Sequence, residues 1–106
     1  MEQLNKVELI GIVGSVHVKE FGTTRVANFS VATNYHYKST QGETVIETTW
    51  HRVTAWDNPD NADAFMLTKG DQVHVLGRLR VHRYTGADGV ERSIVEIVAN
   101  KTYILE

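Results

Sequence analysis

Along this chain apolar side chains recur at every second position in five stretches, 7–18, 25–37, 45–56, 72–84 and 91–105, each rich in Val, Ile, Thr and aromatic residues. A period of two sends successive side chains to opposite faces of an extended strand, so the pattern predicts five strands. The breaks between them carry turn chemistry: GTT at 22–24, STQGE at 39–43 and TGADG at 85–89, the last with an Asp-Gly pair that tolerates positive φ. Segment 57–70, DNPDNADAFMLTKG, breaks the period. Asp57 or Asn58 suits a helix N-cap, Pro59 the first helical position and Gly70 a stop, while Ala62, Phe65 and Met66 form an apolar face. One short helix is therefore expected between strands three and four.

Three strands, a helix and two strands is the order of a five-stranded Greek-key OB barrel. In that all-β fold the strand 2–3 face and the flanking loops commonly bind oligonucleotides or oligosaccharides. An unrelated small β-barrel or an open α+β sheet satisfies the same pattern. The chain is 106 residues long, and the length fits one domain, 1–106, able to fold without crosslinks or metal.

The faces of the strands carry the chemistry. On strand three, Trp50, Arg52, Thr54 and Trp56 share one side, and His51, Val53 and Ala55 the other. The second set is compact and mostly apolar, as a barrel interior requires, so both tryptophans of the chain and Arg52 are expected to face outward. Strand four repeats the arrangement, with Val73, Val75, Gly77, Leu79 and Val81 on one face and Arg78, Arg80, His82 and Tyr84 on the other. Strand two sets Ala27, Phe29 and Val31 against Asn28, Ser30 and Asn34, then runs through Tyr35 and Tyr37 into a turn, where an aromatic has little core to fill. Aromatics interleaved with cations suit single-stranded nucleic acid, because bases stack on the rings and the cations hold the phosphates.

Composition narrows the classes further. With no cysteine, a disulfide framework, a thiolate zinc site and a thiol nucleophile are all excluded, which fits a reducing cytosol. The N-terminus lacks a basic flank and no run of 18 apolar residues occurs, so neither a signal peptide nor a membrane span is expected and the location expected is cytoplasmic. A formal net charge of −2 argues against a uniformly basic binder and makes the placement of charge decisive. The histidines at 17, 36, 51, 74 and 82 show no H-E-x-x-H spacing, and there is no phosphate-binding G-x-x-x-x-G-K-[ST]. Asp57, Asp60 and Asp63 sit at the expected helix start, where they complement its dipole. Neither an enzyme nor a cofactor is expected.

NKVELIGIVG, VANFSVAT, TTWHRVTAW, KGDQVHVLGRLR and RYTGADG together resemble the bacterial single-stranded DNA-binding proteins, in order and with similar spacing over about residues 5 to 100. The resemblance implies sequence-independent binding and protection of single-stranded DNA in replication, recombination or repair, and a nucleoid-associated bacterial setting. It implies four stacking positions, Tyr37, Trp50, Trp56 and Tyr84; two are tyrosine where tryptophan is familiar. Arg52, Arg78, Arg80 and Arg83 are the expected backbone contacts. Family members usually form homotetramers from dimers that pair their first strands, and the histidine after the first strand-three tryptophan, here His51, supports subunit contacts. Strand one, with Val7 and Leu9 on one side and Ile10 and Ile12 on the other, is apolar on both faces, so self-association as dimer or tetramer is expected. The family's glycine-rich tail with an acidic tip has no counterpart before the chain ends at NKTYILE, which places tail-mediated recruitment of replication partners in doubt.

Other readings share these features. A tailless replication-restart accessory would use the same fold, a cold-shock-like barrel would take RNA, and a protein-interaction barrel would use the exposed aromatics as hot spots.

Overall fold

A computed structural model describes residues 1–106 and contains five strands: β1 (Val7–Phe21), β2 (Thr24–Lys38), β3 (Thr44–Trp56), β4 (Gln72–Thr85) and β5 (Glu91–Leu105). They close into a barrel in the order β1-β2-β3-β5-β4. Neighbouring strands run antiparallel except β3 and β5, which meet in parallel at Val53–Ile97 and Thr54–Val98. This is the five-stranded OB barrel expected from the alternation.

The core is built from the faces the period assigned to it. Val13, Ala27, Phe29, Val31, Val53, Ala55, Val73, Val75, Ile97 and Ala99 are buried together. Small β-branched residues dominate because a barrel of five strands has a narrow interior and interiors pack at crystal-like density. β1 is longer than the pattern expected, since its pairing with β2 continues past a bulge between Val13 and Val16 through Lys19–Val26 to Phe21–Thr24 and a two-residue turn at Gly22 and Thr23. Gly22 takes φ +57 there, a conformation that L side chains rarely adopt.

The connection after β3 is a 3₁₀ helix, Pro59–Met66, with Asn58 as N-cap accepting from the Asp60 amide at 2.9 Å. The expected apolar face, Ala62, Phe65 and Met66, is not the buried one: Ala62 and Met66 are exposed and Phe65 is half-buried, whereas Asn61, Ala64 and Leu67 are buried. The cause is the period, because in a 3₁₀ helix residues three apart eclipse one another. Asn61 is satisfied in the interior by donating to the carbonyls of Trp56 and Ala99, both at 3.1 Å, and accepting from Thr102 Oγ1 at 2.9 Å. It ties the end of β3 to β5.

Candidate functional site

Alternation along β3 turns Trp50 and Trp56 outward, 60% and 42% exposed, with Arg52 exposed between them. The β2 residues opposite Trp50 and Arg52 are Ala32 and Ser30, too small to cover them. The Trp50 ring lies over Gly14 of β1 so closely that a Cβ there would overlap it. Thr54, in the same row, is buried instead: its hydroxyl lies 2.9 Å from Glu96 Oε2 and 3.0 Å from Asn28 Oδ1, a single proton serving both.

Arg52 lines an open cleft of about 690 Å³. One wall is β1, through Ser15, His17 and Lys19, and the other is the β4–β5 hairpin, through His82, Ile94 and Glu96. Glu96 is the one acid on these walls, and Arg80 neutralises it, with Nε 2.8 Å from Oε1 and a second contact from the same guanidinium. Burial pushes the Glu96 carboxyl up, but hydrogen bonds from Arg80 and Thr54 outweigh it and hold the group below the ordinary glutamate range. Lys19 and Arg52 form no ion pair, so the cleft presents uncompensated positive charge although the chain as a whole is acidic.

The other residues singled out from the sequence divide among several surfaces. Tyr84, 39% exposed, continues the outward row Arg78, Arg80 and His82 along β4. Arg78 is exposed and unpaired, whereas Arg80 is already committed to Glu96. Arg83 falls on the opposite face of β4, 4.0 Å from Glu91. Tyr37 also departs from the row of tryptophans. The β2–β3 register runs unbroken from Val26–Trp56 to Lys38–Thr44, so Tyr37 shares the face of Val31 and Phe29, beyond the end of the barrel. There it stacks on Tyr35, ring centroids 6.2 Å apart.

On β1, Val7 and Leu9 pack against the barrel's own core, which places them inside the protomer, while Ile10 and Ile12 point outward, 53% and 46% exposed. His51 is half-buried with Nε2 2.8 Å from Thr33 Oγ1, and burial holds its imidazole below the ordinary histidine value. Two features escaped sequence reasoning. The Glu96–Arg80–Thr54 cluster joins three strands that no local pattern links. Phe21, 53% exposed with its ring centroid 5.9 Å from that of Trp56, lay past the expected end of β1; its signal was the row His17, Lys19, Phe21.

No helix is long and apolar enough to cross a membrane. The family profile described as the Single-strand binding protein family matches residues 4–105. The chain is 38% identical over 105 residues to a single-stranded DNA-binding protein of Neisseria meningitidis serogroup B, covering 96% of this chain and 60% of that protein. A Xanthomonas campestris protein of the same description is 36% identical over 104 residues, with the same coverage. The chain thus spans about 60% of the length of these curated relatives. Among solved structures, a Plasmodium falciparum SSB complex with ssDNA superposes with TM-score 0.86 at 32% identity, over 100% of this chain and 98% of that one. A deletion mutant of the single-stranded DNA binding protein from Thermus aquaticus gives TM-score 0.78 at 25% identity, over 97% and 51%.

Proposed function

The chain belongs to the single-strand binding protein family, and from that membership we propose that residues 1–106 form one OB domain that binds and protects single-stranded DNA without regard to sequence. The observation that carries this is the outward row Trp50, Arg52, Trp56 beside a cleft whose unpaired charges are Lys19 and Arg52. Exposed rings offer stacking at ~1–3 kcal/mol per base and every base has a π-face, so affinity arises without base identity. A duplex keeps its base faces stacked inside, so the same surface favours single strands. Arg52 and Arg78 are free to hold phosphates; Arg80 serves the same track less strongly because Glu96 already holds it, whereas Arg83, beside Glu91 on the opposite face of β4, lies off this track. Tyr84 continues the track along β4, and a strand reaches Tyr37 only by passing around the β2–β3 ribbon.

The role is binding, not catalysis, in replication, recombination or repair, within the bacterial cytoplasm and nucleoid. Ile10 and Ile12 give β1 an exposed apolar outer face that supports self-association into a dimer or homotetramer.

Titration of tryptophan fluorescence with oligo(dT) at low salt tests the reading. Quenching that saturates, and that weakens by roughly 0.7 log units per log unit of salt for each phosphate neutralised, is the expected result. Absence of quenching, or equal binding of duplex, refutes it.

A further inference from the structure

Phe21 stands at the tip of the β1–β2 hairpin with more than half its surface in water. It continues the β1 row Ser15, His17, Lys19, whose three side chains line one wall of the cleft. Lys19 pairs with Val26, and Val26 with Trp56, so the row ends beside the last tryptophan. The two rings meet at 47°, a tilted contact that leaves a face of each ring open instead of stacking one upon the other.

The tip is also fixed in place. The Asp57 amide donates to the Arg25 carbonyl at 3.0 Å, the Arg25 side chain donates to Asp57 Oδ2 at 2.9 Å, and its guanidinium sits 4.3 Å over the Phe65 ring. An aromatic carried on a backbone anchored in this way costs less ordering entropy on ligand binding than one on a free loop. Covering Val26, which is 3% exposed, would need only an aliphatic side chain. Lys19 in the same β1 row and the Trp56 ring in contact with Phe21 suit a planar aromatic base on an anionic chain.

We propose that Phe21 is a further nucleobase-stacking position, one that carries the bound strand past Trp56 and over the tip of the β1–β2 hairpin. This rests on the single-strand reading above. Stacking there adds a contact at the end of the track and lengthens the segment of strand that the domain protects.

Three variants test it with oligo(dT) of graded length. Phe21→Leu keeps the apolar cover and removes the π-face; it is expected to weaken binding of long oligo(dT) by roughly 5- to 150-fold with an unchanged melting temperature. Phe21→Tyr restores the face and is expected to restore affinity. Added to Trp56→Ala, Phe21→Leu is expected to cost at least a further ~5-fold, because the two rings then act on the ligand separately. Wild-type affinity in Phe21→Leu overturns the proposal. So does a Phe21→Leu change with no effect in the Trp56→Ala background, which would make Phe21 a prop for Trp56. Failure of the wild-type chain to bind oligo(dT) at any length would instead overturn the single-strand reading on which the proposal stands.

Discussion

Replacing Arg80 by alanine isolates the Glu96 cluster and yields a stability change whose pH dependence has a definite sign. The Glu96 side chain is 10% exposed and that of Arg80 43%. Removing one partner of a buried pair costs about 3–5 kcal/mol. Here the arginine is partly hydrated and the carboxylate keeps the Thr54 hydroxyl, so solvent screening reduces the figure to about 2 kcal/mol near neutral pH. In wild type the depressed Glu96 carboxyl contributes stability that is present above its unfolded pKa and is lost as pH falls through the lower folded value. Without Arg80, burial is opposed chiefly by Thr54, and the carboxyl is expected to titrate above its ordinary range. The variant's penalty therefore grows as pH rises through the unfolded value and shrinks toward acid. Urea unfolding at fixed protomer concentration, compared near neutrality and at about pH 4, close to the glutamate reference value, reads both quantities. A loss of equal size at the two pH values, or none at neutrality, refutes the assignment of a buried charge held by Arg80.

Trp50→Ala and Trp56→Ala are each expected to weaken oligo(dT) binding by roughly 1–3 kcal/mol with the fold intact; global unfolding would mean that the strand is inside out. Gly14→Ala, whose new Cβ meets the Trp50 ring, should shift the emission of that tryptophan and lower affinity without touching any charge. Arg52→Ala and Arg78→Ala should each flatten the dependence of log affinity on log salt by about 0.7, and Arg80→Ala by less; a larger change at Arg80 than at Arg52 would reverse the ranking. The His51 ring is expected to titrate in an NMR pH series below the ordinary histidine value. Its burial then lowers stability as pH falls below the unfolded pKa, near 6.5.

Where a residue's role depends on alternation, the sequence was readable. Val53 and Ala55 identified the interior of β3, and from that parity alone Trp50, Arg52 and Trp56 had to face water, as they do. Alternation fails where a strand outruns the barrel. Leu79 and Val81 lie on the core side of β4 yet are 47% and 56% exposed, because the β4–β5 hairpin projects beyond the interior that would bury them. Tyr35 and Tyr37 are exposed for the same reason on β2. Parity gives a face but not what covers it: Val7 and Leu9 are half-buried against the barrel core, while Ile10 and Ile12 on the other face are exposed. Helical period misled in segment 57–70, since nothing local distinguishes a 3₁₀ from an α repeat over so few residues. The Glu96 cluster was illegible as a whole because Thr54 reaches the Arg80–Glu96 pair of the β4–β5 hairpin only when β5 closes on β3.

That closure gives the barrel a weakest seam. β2–β3 and β4–β5 are zipped along most of their lengths, whereas β3 and β5 are fastened by two adjacent pairs, the Thr54–Glu96 bond and the Asn61 bridge from Trp56 to Ala99. The seam runs along the cleft, with Arg52 on one lip and Glu96, held by Arg80, on the other. A strand laid across both lips behaves as a clasp, and by mass action whatever it gains by binding the shut ring is withheld from the opened one. Breathing of the seam, read as amide exchange at Thr54 and Ile97, then becomes a gauge of occupancy.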